Sequence, residues 1–289
     1  MEAKNMPENE LPSIITPPFS GFAVRKHDNQ LMFVEGRNYE QRNQCTRQII
    51  AEVVSKYHVP DFGWTIINTD DMDLYKTYFG YKVLCFSSFN NDFSQTVPDF
   101  TYGGWPEVGI DKFEDTCDTI EAGGMDRYAM DAIGWRGALT HYNRRLIVQM
   151  HDGVNIDAIW IEWDASNPNK LVCKDNFVSL PDHPRRWRFL IDVEAHGWSG
   201  RLKFFFFANR PLFIQDRPYK EWYFQYLKPW VHYVPVSRDM SDLRSNIERI
   251  RADHSLEMSL RKNALEFAKK NLSRMAAYER WAEVLRSLS

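Results

Sequence analysis

What this sequence lacks narrows it first. Only four of its 289 residues are cysteines, at Cys45, Cys85, Cys117 and Cys173. They are widely spaced and form no Cys-x-x-Cys pair, which argues against a zinc site or a dense disulfide framework. Excess basic charge is missing as well: 36 Lys and Arg stand against 39 Asp and Glu, a net charge of −3. That balance argues against broad binding to nucleic acid or to an anionic membrane. No run of about twenty apolar residues is available to span a bilayer. Neither a Walker loop nor a dinucleotide fingerprint occurs, because the glycine spacing fits neither. A nucleophile elbow is also lacking, since "GWSGR" has no second glycine at the required position, and a serine hydrolase is disfavoured. The opening "MEAKNMPENELPSIITPPFSG" is acidic and proline-rich, unlike a signal peptide, and the closing "RSLS" carries no retention signal. The expectation is a cytoplasmic protein with no transmembrane segment and no nucleic-acid partner.

What is present is a core-forming composition, with 44% hydrophobic and 15% aromatic residues. Residues 1–22 read as an irregular leader, broken by Pro7, Pro12, Pro17 and Pro18. A helix is expected from "NYEQRNQCTRQIIAEVVSKY", with Ile49, Ile50, Val53 and Val54 on its apolar face. The β-branched runs "GWTIIN" and "YKVLCFSS" predict strands, and "PDFTYGGWPEVGI" reads as a loop. A boundary falls near "EAGGMD". Beyond it strand and helix signals alternate again: "YAMDAIGWRG", "THYNRRLIVQMHD", "DAIWIEWD", "WRFLIDVEA", "RPLFIQD" and "WVHYVPV". Such alternation predicts an α/β fold with parallel sheets. In the C-terminal tail a helix is expected to start after Ser241 at "DLRSNIERI", and from "SLEMSLRKNALEFAKKNLSRMAAYERWAEVLRSL" one long helix, with Leu260, Ala264, Phe267, Ala268 and Leu272 on one face.

Three groupings could carry chemistry. Asp70, Asp71 and Asp73 follow a strand, where α/β folds place their sites. Asp71 and Asp73 could hold a divalent cation against nucleotide phosphates, or one carboxylate could act as a general base. Arg136 and Arg144 flank a turn, and a guanidinium makes two parallel hydrogen bonds to a phosphate. In "HGWSGRLKFFFF", Gly197 and Gly200 permit close backbone approach, Ser199 offers a hydroxyl, and Arg201 and Lys203 add charge. A helix starting near Ser199 would favour an anion at that end. The four phenylalanines would anchor it. His151, His183, His196 and His232 lack metal-ligand spacing.

The stretch "YKEWYFQYLKPWVHYVPVSRDMSDL", Tyr219 to Leu243, resembles the signature of glycosyltransferase family 90, which includes fungal capsule-associated xylosyltransferases and animal protein O-glucosyltransferases. "GWSGRLK" is similar to the family's Ser-x-Arg-x-Lys segment, "PDH" at Pro181–His183 has a counterpart, "WRG" stands for Phe-Arg-Gly, and "PDFTYGGWPE" looks like its Gly-Gly-Trp loop. The matches run from about Pro60 to the C-terminus.

The resemblance implies a GT-B architecture of two Rossmann-like domains facing across a cleft. The first would span residues 23–124, joined by a C-terminal helix at about 263–289; the second, binding the UDP-sugar, would span 125–262. It implies an inverting transferase that needs no metal ion or other cofactor and moves a sugar, xylose before glucose, from a UDP-sugar to a glycan or glycoprotein acceptor. The family's base aspartate lands on Asp71 in "INTDD", with Asp70 standing where many members have arginine. Arg136, Arg144, Asp182, His183, Ser199, Gly200 and Arg201 are implied on the donor side, and Glu221 at the ribose hydroxyls. Asp70, Asp73, Gly104 and Trp105 fall to the sugar or acceptor pocket. Two other readings stay open: a carbohydrate-binding protein with a degenerate site, and a metal-dependent transferase using Asp71 and Asp73.

Overall fold

The first strand, β1 (Gly21–His27), turns at Asp28 and Asn29 into β2 (Gln30–Val34). Both turn residues have positive φ, 49° and 61°, the hairpin geometry whose twist matches two antiparallel strands. After α1 (Glu40–Lys56) come β3 (Phe62–Asn68), β4 (Thr77–Tyr78) and β5 (Tyr81–Leu84). These strands form one sheet in the order β2-β1-β3-β5-β4. The computed structural model describes residues 20–289 apart from 35, 37–39, 73–74, 165–166 and 172–175. Most of the expected leader, residues 1–19, therefore lies outside the described residues, yet its last two positions belong to β1.

This first sheet differs from a parallel Rossmann-like one. β1 runs antiparallel to both β2 and β3, and β4 antiparallel to β5; only β3 and β5 are parallel. The reason is local: a two-residue turn can join only antiparallel strands, whereas a parallel pair needs a crossover of a dozen residues or more.

After α2 (Phe113–Met125) the second sheet is built from β6 (Met130–Gly137), β7 (Ile156–Trp160), β10 (Trp187–Asp192), β11 (Leu212–Gln215) and β12 (Val234–Val236). α3 (Tyr142–Gln149) links β6 to β7, a small antiparallel pair β8 (Trp163–Asp164) and β9 (Asn167–Leu171) follows, and α4 (His183–Arg186) leads into β10. All five main strands are parallel, in the order β12-β11-β10-β6-β7. The chain leaves the middle in opposite directions from β6 and β10. Their carboxyl ends thus flank a topological switch point, where open α/β sheets bind ligands. Both faces carry apolar packing: Ile133, Trp135, Phe189, Ile191 and Phe213 pack in one cluster, Leu190, Leu212 and Ile214 in another.

"KFFFF" is buried, but not as the opening of a long helix. α5 (Leu202–Phe205) is a single turn. Its residues diverge in several directions: Phe204 and Phe207 reach Phe113, Phe205 reaches His183, and Phe206 reaches Tyr223 and Phe267. The tail also departs from one long helix. After α6 (Leu243–Ala252) it forms α7 (His254–Asn271) and α8 (Arg274–Arg286), separated where the Ser273 hydroxyl accepts from the Ala276 amide at 3.2 Å. α8 lies against the first sheet's side of the molecule. Its Tyr278 hydroxyl donates to Glu52 on α1 at 2.8 Å, and Trp281 Nε1 donates to the Pro98 carbonyl at 3.0 Å. Among the described residues no helix is long and apolar enough to cross a membrane.

Candidate active site

Asp192 ends β10 at the switch point and is completely buried. A buried charge persists only when it is paired and hydrogen-bonded. Its Oδ1 accepts from the Ser199 hydroxyl at 2.8 Å and from Arg201 Nε at 2.9 Å. Its Oδ2 accepts from Arg217 Nη1 at 2.6 Å. Burial alone would raise this carboxyl, but Arg217 and Arg201 overcome it and hold it at about 2. Asp192 therefore sets the rotamers of Ser199, Arg201 and Arg217 together.

Arg201 keeps part of its fork in reserve. Nε is on Asp192 and Nη1 donates to the Arg136 carbonyl, while Nη2 is buried and has no partner. Arg144 is similar: Nε donates to the Glu194 carbonyl at 3.1 Å and Nη1 to the Ala138 carbonyl at 2.9 Å, leaving Nη2 unbonded among the described residues. Burial, then the neighbouring Arg201 charge, lowers Arg144 to about 9, against the pull of Asp192 and Asp71. Two guanidiniums with spare donors in one low-dielectric crevice form an incomplete charge arrangement that an anion completes.

Arg136 is occupied otherwise. All five of its donors are taken: Nε by the Asn176 carbonyl, Nη1 by the Trp135 and Asp157 carbonyls, Nη2 by both Asp157 oxygens at 3.0 and 2.9 Å. Trp187 Nε1 also donates to Asp157, at 2.8 Å. This Arg136–Asp157 pair braces β6 against β7, and its backbone carbonyl, not its side chain, reaches the crevice through Arg201.

Asp71 belongs to a turn packed on the loop that carries Ser199 and Arg201. Arg42 Nη1, from α1, donates to its Oδ1 at 2.9 Å, and Oδ2 accepts no bond among the described residues. Asp70 serves its own turn: Asn68 Oδ1 accepts from the Asp70 amide at 2.9 Å, and Asp70 Oδ1 from the Asp71 amide at 2.8 Å. Asp73 lies outside the described residues, so the Asp71–Asp73 pair has no geometry to report. The aspartate turn rests directly on the serine loop. The Trp198 amide donates to the Asp71 carbonyl at 3.3 Å, and Trp198 Nε1 to the Asp70 carbonyl at 3.4 Å. A Cβ on Gly197 would fall 1.6 Å from the Asp71 carbonyl oxygen, so only glycine permits this approach.

The Gly-Gly-Trp loop closes the same region. Gly104 has φ +120°, in the range that favours glycine, and the Trp105 ring lies 3.0 Å from where a Cβ of Gly200 would be. Lys203 ties the two loops together, bonding the Gly200 carbonyl at 2.8 Å and the Asp99 carboxylate at 2.7 Å. Glu221 is buried nearby, with Oε1 accepting from the Tyr223 hydroxyl at 2.9 Å and Oε2 unpartnered. Burial raises its carboxyl to about 7, with Arg217 and Lys203 pulling the other way.

His183 and Asp182 separate in space although adjacent in sequence. His183 is buried against Trp187 and Phe205, its Nδ1 at 2.8 Å from the Ser179 carbonyl and its Nε2 unpartnered. Burial, reinforced by Arg201 and Arg136, lowers it to about 3. Asp182 is exposed and bonded to the Ser179 hydroxyl, outside the crevice cluster. Sequence reasoning passed over Asp192, Arg217, Glu194 and Arg42. Asp192 and Glu194 carried one available signal, as carboxylates at the end of the apolar run "WRFLI".

A family profile described as glycosyl transferase family 90 matches residues 22–289. Over 153 residues, 52% of this chain and 13% of the other, the sequence is 29% identical to the uncharacterized protein 035R of invertebrate iridescent virus 3. Over 90 residues, 31% of this chain and 23% of the other, it is 30% identical to protein O-glucosyltransferase 1 of Rattus norvegicus. The chain thus spans 13% and 23% of the length of these relatives. The crystal structure of Anabaena Alr3699/HepE in complex with UDP-glucose overlaps 64% of this chain and 46% of that one at 12% identity, a loose match with a TM-score of 0.38.

Proposed function

The chain belongs to glycosyl transferase family 90, and from that premise we propose that it transfers a sugar from a UDP-sugar to an acceptor hydroxyl, with inversion, without a metal ion, and across a GT-B-type cleft. The observation that carries this reading is the pair of incompletely bonded guanidiniums, Arg201 and Arg144, near Asp71 at the switch point of the parallel sheet.

Asp71 is the general base. With Oδ1 held by Arg42, Oδ2 takes the proton of the acceptor hydroxyl as that oxygen bonds to the anomeric carbon. The bond from that carbon to the diphosphate breaks on the opposite face, its electron pair leaving with UDP. Arg201 Nη2, buried and unpartnered, and Arg144 Nη2 meet the growing charge with donors already oriented by their other bonds. Ser199, already donating to Asp192, can still accept a hydrogen bond. Glu221 Oε2 accepts from the ribose hydroxyls, which would satisfy its open valence. Arg136 acts by bracing the strand that positions Arg201, not by touching phosphate. The name of the rat relative favours glucose, whereas the compact "GWSGRLK" and "GGWPE" forms resemble the xylose-using branch; the acceptor is a glycan or glycoprotein.

Thermal melts with UDP, UDP-glucose and UDP-xylose test the donor, because a ligand that binds only the native state raises its apparent stability. At a hundredfold excess over Kd the gain is about 2.7 kcal/mol. The shift should persist in EDTA. Asp71→Asn should retain it while losing turnover of the UDP-sugar by at least ~100-fold. A shift that requires manganese would replace the metal-free mechanism with a metal-dependent one, and no shift with any UDP compound would overturn the donor assignment.

A further inference from the structure

Glu194 is almost fully buried, two residues past the end of β10, on the switch-point side of the sheet. Five side chains surround it. Its amide donates to Gln215 Oε1 at 3.1 Å, and its carbonyl accepts from Arg144 Nε at 3.1 Å. Its side chain is fixed through one oxygen only. Asn143 Nδ2 donates to Oε2 at 2.7 Å, while Arg238 Nη2 and His141 Nδ1 approach that same oxygen at 3.5 and 3.8 Å. Oε1 accepts nothing among the described residues. A carboxylate held through one oxygen, with no protein partner on the other, presents a fixed, directional acceptor to whatever enters the crevice.

Its neighbours say what belongs there. Arg144, bonded to the Glu194 carbonyl, is close enough to Asp71 to feel its charge and also stands beside Arg201. Glu194 thus shares Arg144 with the crevice that holds the proposed base and the proposed diphosphate contacts, and on the UDP-sugar reading the transferred sugar lies between those two. A ligand group that satisfies Oε1 has to be a donor, and a sugar ring offers hydroxyls and no cation. We propose that Glu194 is a specificity residue that accepts a hydrogen bond from a ring hydroxyl of the donor sugar. The inference rests on the UDP-sugar reading above. It assigns recognition to a hydroxyl that glucose and xylose share, so Glu194 would select for ring stereochemistry and not for the hydroxymethyl group. A site built around a substrate hydroxyl rejects analogues lacking it far more strongly than an apolar pocket rejects an extra methylene.

Calorimetric titration of wild type and Glu194→Gln with UDP, UDP-glucose and the four UDP-deoxyglucoses lacking O2, O3, O4 or O6 tests this. Glutamine keeps the shape and can still accept from Asn143, but it turns an amide donor toward the sugar. In the variant, UDP-glucose should weaken at least tenfold while UDP changes less than twofold. In wild type, one ring deoxy analogue should bind at least tenfold more weakly than UDP-glucose, and that gap should close to under threefold in the variant. Equal weakening of UDP and UDP-glucose, or no weakening, would overturn the proposal. If the variant does not fold, the wild-type series decides alone: tolerance of every ring deletion would overturn it. Failure of wild type to bind any UDP compound would instead overturn the underlying donor assignment, and this one with it.

Discussion

Glu221 and His183 are both buried with one unbonded atom, and their titrations pull stability in opposite directions. The Glu221 carboxyl is raised from 4.5 to about 7, so between those values the native state binds the extra proton. Its contribution is complete below pH 4.5 and is lost as pH rises through 7. His183 is lowered from 6.5 to about 3, so its contribution is complete above pH 6.5 and is lost as pH falls toward 3. Glu221→Gln removes the first effect and leaves the second. Relative to wild type, the variant should therefore gain on the order of 3 kcal/mol between pH 4 and pH 8. Urea unfolding of both proteins across that range measures it, and parallel curves would refute it. At this scale the sequence was partly legible. That Ser199, Arg201 and Asp71 belong to adjoining loops was readable from turn chemistry and the family pattern. Asp192 was not, because an aspartate closing an apolar strand looks like a boundary until Arg217, 25 residues later, folds back onto it. Arg136 was legible as an arginine beside a turn that could meet a phosphate, but not as a saturated one, since its carboxylate partner lies on the neighbouring strand.

Two loops meet at the Asp71 carbonyl, and Gly197 is the point of closest approach. Any side chain there has to displace backbone, because its Cβ would sit 1.6 Å from the carbonyl oxygen. Gly197→Ala should therefore push the aspartate turn off the serine loop, breaking the Trp198–Asp71 bond. A misplacement of about 1 Å at a reacting group costs roughly a hundredfold in rate, and overpacking costs about 1–3 kcal/mol. Gly63→Ala is the control: nothing lies within 4 Å of its Cβ position, so stability and turnover should hardly change. Melting curves and turnover of the pair separate the two, and equal behaviour would show that the loops move independently. Element by element, the second sheet was legible because β-branched runs alternate with helical periodicity. The first was less so. Its hairpin turns on Asp28-Asn29, a modest signal beside a proline-rich leader. The run "KFFFF" has no period, since short apolar runs suit a buried strand or helix equally, and the packing that bends it into one turn comes from four distant segments. The tail's break at Ser273 is a single N-cap in a strongly helical composition, and "SRMA" lacks the acidic residue that would complete a capping box.

A single buried cluster runs through the whole molecule, taking in Phe22 and Val24 from the first sheet, Leu190 and Ile214 from the second, all four phenylalanines, and Trp281 of α8. Contacts of that reach should couple the two sheets on either side of the crevice into one cooperative unit. Lys203 and Asp99 test the idea, since their 2.7 Å ion pair is buried inside this shared core. Lys203→Met leaves Asp99 charged and unpaired, a change that costs about 3–5 kcal/mol when a buried pair is broken. Lys203→Met with Asp99→Leu removes both charges and should recover most of that loss, because buried pairs contribute little net stability over apolar replacements. If the core is shared, native-state hydrogen exchange should register the loss equally in β3 and β10, although Lys203 belongs to the segment after β10 and Asp99 to the loop after β5. Loss of protection confined to β3 and α1 would mean that the sheets unfold separately, and the crevice between Asp71 and Arg201 would then have to be assembled by the ligand.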